Sequence, residues 1–228
     1  MKRNLSQPVI ERRFVKGGQV RAKSGDTPGI EGYASVFNEQ FDSGWFIETI
    51  KPTAFTRALA EKQDVRCLFN HDPNNVLGRS KSGTLRMSQD ATGLHFECDT
   101  NPATRVASDV QAMVDRGDID GCSFAFIVRK CTWREETDAD GNTMDYREIE
   151  DVDLYDVGPV TYPAYEGTSV SARSALWPNG IPDEVRGHVA ALRSEDELKE
   201  AAKQLIDAAA LAAEDERMRM RLRLAQAS

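Results

Sequence analysis

No run of apolar residues in this chain approaches the roughly 18 needed to cross a bilayer. The opening Met1-Lys2-Arg3 leads into polar sequence rather than the apolar core of a signal peptide, so a soluble, intracellular protein is expected. Cysteine is scarce. The four residues, Cys67, Cys98, Cys122 and Cys131, include no CxxC pair, so neither a zinc site nor a disulfide framework is indicated, and all four read as free thiols in a reducing compartment. Positive charge is in deficit as well: 29 Lys and Arg stand against 37 Asp and Glu, a formal net charge of −8. Phosphate-binding surfaces need clustered cations, so nucleic acid is not an expected partner. Histidine is rarest, with only His71, His95 and His188. Any chemistry that needs an imidazole base has three places to put it.

What is present suffices for one core of ordinary size and a tail. Hydrophobic residues make up 40% of the 228 and charged residues 29%, and single domains run to about 100–200 residues. Residues 1–30 are basic and broken by Gly17-Gly18, Gly25 and Pro28-Gly29, which reads as a strand or ragged hairpin extension. A central domain over 31–175 follows. Within it, strands are expected at 31–38 and 45–50, then a helix opened by Pro52-Thr53, with Thr53 as N-cap and Phe55, Ala58 and Leu59 on its apolar face. The short apolar run Val65–Phe69 suits a buried strand and ends abruptly in Asn70-His71-Asp72-Pro73-Asn74-Asn75. Strands at 84–87 and 94–99 and a helix at 103–116 stopped by Gly117 come next. Ser123 then opens the buried strand Phe124-Ala125-Phe126-Ile127-Val128, a hairpin tip falls at Asp140-Gly141-Asn142, and a return strand runs over 146–160. Residues 176–193, with Trp177-Pro178-Asn179-Gly180-Ile181-Pro182, read as a linker. A helical tail over 194–228 carries the stripe Leu198, Ala202, Leu205, Ala209 and Ala212.

A hydroxyl becomes a useful nucleophile only when a neighbouring base takes its proton. His188 lies among helix formers after the Pro-rich stretch Trp177–Pro182, and His95 alternates within a strand, so surface and structural roles suit them. His71 differs because it stands at a strand end in an Asn- and Asp-rich turn, where a loop can present it to a substrate. The plainer alternative is an ordinary turn histidine. Ser123 lies between Gly121-Cys122 and a run of large apolar residues, at a strand start where Gly121 permits close backbone approach. It does not match the GxSxG elbow, and a strand-start serine making one local hydrogen bond is the competing reading.

Three ordered blocks resemble the HK97-like prohead protease family. They are Leu68-Phe69-Asn70-His71-Asp72 with Leu77-Gly78-Arg79 shortly after, Gly121-Cys122-Ser123-Phe124-Ala125-Phe126, and Asp156-Val157-Gly158-Pro159-Val160-Thr161 followed by Tyr162-Pro163-Ala164-Tyr165. The resemblance covers about residues 31–169. It implies a mainly β, α+β protease domain with the closed β-barrel surrounded by helices of the herpesvirus assembly proteases, together with the C-terminal amphipathic helix read above. It places the family's histidine on His71 and its serine on Ser123. Relatives usually open the last block with Glu before Val-Ser, where this chain has Asp156 before Val157-Gly158. Asp156 is therefore the choice for the third member. Glu148 and Glu150 share its parity on the return strand and stay open as alternatives, with His95 ranked last.

By this resemblance the chain is a serine endopeptidase that works by acyl transfer without metal or cofactor. Its implied partners are the major capsid protein with its scaffolding segment, the scaffold and the protease itself. Its implied place is the immature procapsid in the host cytoplasm. Arg79 and Arg173 are candidate helpers. The alternative is a non-catalytic capsid assembly or scaffolding protein on a protease-like fold, acting through its C-terminal helix.

Overall fold

In chain order the elements are β1 (Glu11–Val15), β2 (Val20–Ala22), β3 (Gly29–Val36), β4 (Phe41–Asp42), β5 (Phe46–Ile50), α1 (Thr56–Ala60), β6 (Arg66–Leu68), β7 (Val76–Arg79), β8 (Leu85–Gln89), β9 (Gly93–Asp99), α2 (Arg105–Arg116), β10 (Gly121–Thr137), β11 (Thr143–Val160) and α3 (Asp183–Leu192). They are seen in a computed structural model that describes residues 9–15, 20–24, 27–43, 45–137, 143–161 and 176–192. The chain divides into Met1–Glu166 and Gly167–Ser228. The second unit is described only over residues 176–192 and holds α3, inside the stretch read as a linker. The tip at Asp140-Gly141-Asn142 and the tail over 194–228 lie outside the described residues.

The first unit is a mostly-β α+β body of two sheets. One has the order β1-β10-β11-β5-β4, with β6 added on β11 and β7 on β6; the other has the order β2-β3-β9-β8. The long β10/β11 hairpin is the spine. β11 pairs antiparallel with β10, while its other edge pairs in parallel with β5 at Asp145–Ile149 and with β6 at Asp156 and Val157. The core lies between the sheets and α1 and α2, where Phe55 meets Phe124 edge-on at 5.5 Å and Phe124 stacks on Phe126 at 4.7 Å. Each such ring contributes about 1.5–3 kcal/mol through its burial. α2 ends as its sequence suggests, with Gly117 in the left-handed conformation at φ 81°.

Three expectations need correction. Backbone pairing does not close a β-barrel among the described residues, because the strands form two open sheets. β1 and β5 are separated by β10 and β11, about 14 Å in a flat sheet, yet Arg13 Nε of β1 lies 2.5 Å from Glu48 Oε1 of β5. The sheet therefore curls, and side-chain charges rather than a hydrogen-bond ladder bridge β1 and β5. β1 and β2 do not form a hairpin together, since β1 pairs with β10 and β2 with β3. Thr53 does not cap α1: its hydroxyl donates to the Glu150 carbonyl at 3.1 Å, and the helix begins after Phe55 with no side-chain cap.

Candidate active site

β6 brings one half of the site. Its parallel pairing places Arg66 opposite Asp156 and Cys67 opposite Val157, so the residues just beyond Leu68 arrive at the end of β11. There the backbone turns through two left-handed residues, Asn70 at φ 56° and His71 at φ 57°, a conformation that Asn and His tolerate better than most side chains. The Asn70 N–H donates to the Pro159 carbonyl at 3.0 Å, and Asp72 N–H donates to Phe69 O at 3.1 Å. The Asp72 carboxylate accepts from Asn74 N–H at 2.8 Å and from Asn75 Nδ2 at 3.1 Å. The Asn-rich turn thus builds its own frame around His71.

The other half comes from the hairpin. Ser123 is the third residue of β10, opposite Gly158 on β11 and Phe14 on β1. Asp156 reaches the same face through a bulge. Ala125 pairs with Asp156 but Phe126 pairs with Leu154, so Tyr155 is an extra residue, 44% exposed. Without it, Leu154 and Asp156 would share a face. With it, Leu154 stays in the core and Asp156 turns to the side of Ser123 and Ala125, as bulges beside functional sites often re-aim a side chain.

His71 sits between these two groups. Its Nδ1 lies 2.5 Å from Asp156 Oδ1 and its Nε2 lies 2.6 Å from Ser123 Oγ. A carboxylate accepts only, so Nδ1 carries the proton and Nε2 is free to accept from the hydroxyl. All three are buried: Ser123 is 0% exposed, Asp156 8% and His71 9%. The Phe14 ring meets the imidazole edge-on at 6.3 Å. Arg12 stands opposite Ala125, the residue that Asp156 flanks on its other side. Burial lowers the guanidinium pKa of Arg12 and outweighs the opposing pull of the Asp156 charge. The neighbouring thiol of Cys122 is pushed up to about 12, mainly by burial, and a thiol so hard to ionise is a poor nucleophile.

The remaining candidates are engaged elsewhere. Glu148 lies opposite Thr132 and pairs with Lys51 at 2.8 Å. Glu150 binds Lys130 and Thr132. His95 meets Tyr33 edge-on at 5.2 Å. Arg79 Nε donates to Asp64 Oδ1 at 2.7 Å. His188 falls on α3 with its side chain outside the described residues, as is all of Arg173. Sequence reasoning expected a strand or hairpin extension over residues 1–30 but missed the part β1 plays at this site. Arg13 contributes its carbonyl, which accepts from Ser123 Oγ at 2.8 Å, and Phe14 and Arg12 line the same face. No sequence signal marked it, because Glu11-Arg12-Arg13-Phe14-Val15 runs from three charged residues into two apolar ones and alternates only in burial.

Known proteins resemble this chain. The prohead protease of Enterobacteria phage HK97 is 34% identical over 103 residues, a match spanning 44% of this chain and 43% of that protein. The structure of the bacteriophage T4 capsid assembly protease aligns with a TM-score of 0.40 at 13% identity, over 68% of this chain and 99% of that one. The model of the caudovirus prohead serine protease family matches residues 18–177, a span that contains the His71 turn, the start of β10 and the end of β11. On the strength of that match, the chain belongs to the caudovirus prohead serine protease family.

Proposed function

We propose that this chain is the endopeptidase of prohead maturation, with Ser123 as nucleophile, His71 as general base and Asp156 as the acid that orients the imidazole. One observation carries the reading: the hydrogen-bonded relay from Ser123 Oγ through His71 to Asp156 at 2.6 and 2.5 Å. Ser123 attacks the scissile carbonyl while Nε2 takes its proton; the imidazolium returns that proton to the leaving amine, and water repeats the sequence on the acyl-enzyme. Asp156 keeps the proton on Nδ1 and stabilises the positive charge as it forms. Family membership supports the scaffolding segment of the capsid protein, the scaffold and the protease itself as substrates, cleaved inside the immature shell.

Ser123→Ala tests this directly on co-expression with the capsid protein: shells assemble and no processing follows. Unchanged cleavage would exclude Ser123. Asp156→Asn leaves a side chain that no longer enforces the Nδ1 tautomer, so cleavage falls by about 10³–10⁴-fold. A fluorophosphonate that labels only when both Ser123 and His71 are intact separates this enzyme from a non-catalytic assembly protein on the same fold.

A further inference from the structure

Ser123 is wholly buried, and the element that covers it is β1. The five residues of β1 pair in register with Cys122–Phe126, filling the outer edge of β10, with Phe14 directly opposite Ser123. The carbonyl of the Arg13–Phe14 peptide bond accepts from Ser123 Oγ at 2.8 Å, close to the 2.6 Å contact between that oxygen and His71 Nε2. A hydroxyl has one proton. When it goes to Arg13 it is withheld from the base, and no other carbonyl can approach the oxygen while Arg13 is there.

The same strand is fastened by charge. Glu11 and Arg13 point to the opposite face, where Arg13 binds Glu48 at 2.5 and 2.9 Å and Arg147 binds Glu11 at 2.8 and 3.0 Å. All four residues are at most 3% exposed. Their charges sum to zero, and Arg147 also reaches Glu48 at 3.1 Å. If β1 departs, it takes one acid and one base with it and leaves a self-compensating pair. β1 also lies ahead of residues 18–177, the span matched by the family model, whereas Ser123, Glu48 and Arg147 lie within it.

We propose that the β10 edge from Cys122 to Phe126 is the acceptor site for an extended polypeptide, and that β1 occupies it in cis as a pseudosubstrate that keeps the protease closed. The inference rests on the reading of Ser123 as nucleophile. An incoming segment replaces β1 by adding an antiparallel strand to β10, which sets its own carbonyl against Ser123 Oγ. On the other face Arg147 and Glu48 receive an acidic residue and, two positions later, an arginine or lysine. The ligand class is thus an extended segment of the pattern acid-x-base, running in the direction of β1.

The experiment uses the full chain and the rate of fluorophosphonate labelling at Ser123. Glu11→Ala with Arg13→Ala releases the strand without stranding a core charge, and labelling accelerates by about ten- to a hundredfold. A peptide with the sequence of residues 9–16, added in trans, slows that variant again, and the same peptide with alanine at both charged positions does not. Val15 faces Cys122 across the ladder, so Val15→Cys permits a lock: oxidation with diamide stops labelling and a reducing agent restores it. Equal labelling of the oxidised, reduced and unmodified proteins would overturn the strap while leaving the catalytic reading intact. If deuterium exchange at residues 122–126 rises in the double variant, yet no form labels, the nucleophile assignment fails and the pseudosubstrate role falls with it.

Discussion

The side-chain amide of Asn70 binds Thr161 twice, with Oδ1 accepting from the Thr161 N–H at 2.9 Å and Nδ2 donating to Oγ1 at 3.0 Å. This clamp ties the turn that presents His71 to the chain leaving β11, the strand that presents Asp156. Asn70 also takes a left-handed backbone at φ 56°. Asn70→Ala removes the clamp and keeps a Cβ in the left-handed region without the local side-chain hydrogen bonds by which Asn tolerates it, a backbone cost of about 1–2 kcal/mol relative to glycine. Asn70→Gly removes the clamp but relieves the backbone. Urea melts are expected to rank wild type, then Gly, then Ala, with cleavage reduced in both variants. Equal stability of the two variants would show that the backbone conformation is not the determinant.

Gly158 backs onto Leu68 with no room for a side chain. A Cβ at this position would lie 2.2 Å from the Leu68 carbonyl oxygen, a backbone atom that cannot swing aside. Gly158→Ala must therefore push β6 away from β11, and the His71 turn moves with it. Overpacking of this kind costs about 1–3 kcal/mol. A displacement near 1 Å at the reacting groups lowers rate by about 10²-fold. The substitution should lower cleavage far more than it lowers the melting temperature, as kinetics and calorimetry on the same sample would read. A proportionate loss of both would assign Gly158 a structural role alone.

These two contacts mark where sequence reasoning reached and where it stopped. The His71 strand end and the Ser123 strand start were legible because short apolar runs, Val65–Phe69 and Phe124–Val128, end or begin sharply at polar residues. β3, β9 and α2 were legible from period and from Gly117. The choice among Asp156, Glu148 and Glu150 was not, because parity along a strand survives only without bulges, and β11 gains an extra residue at Tyr155. β1 was obscured for another reason. Its inward positions are Glu11 and Arg13, and charged residues read as exposed unless their buried partners, Glu48 and Arg147, are already known. The curl that brings those partners together is a tertiary fact with no local signature.

Glu48→Gln removes one carboxylate from the buried group of four and leaves two arginines, Arg13 and Arg147, sharing the single acid Glu11. Breaking a buried pair on one side costs about 3–5 kcal/mol, because the surviving charge has lost its compensation. The double change of Glu11 and Arg13 removes opposite charges together, and Glu48 and Arg147 still bond each other. Urea unfolding near neutral pH should therefore show the single change to be the more destabilising. The reverse order would mean that the four charges do not act as one compensated unit.

Asp153 makes stability depend on acid. Burial raises its carboxyl pKa, but hydrogen bonds from Arg129, Arg57 and Gln63 outweigh that and carry it to about 2, from an ordinary value of 3.8. The Arg57 and Gln63 contacts are 2.6 and 2.9 Å, and they join α1 and the loop after it to β11. With the folded pKa below the unfolded one, the unfolded chain binds the proton first as pH falls. The contribution is complete above about pH 4 and is lost as pH drops toward about 2. In Asp153→Asn the group cannot titrate. Urea midpoints measured across this window should fall more steeply in the wild type than in the variant, with the variant already less stable at neutral pH. Parallel curves would place the acid sensitivity in other carboxylates, such as Asp99, whose pKa is lowered by hydrogen bonds from Arg86 and Lys23.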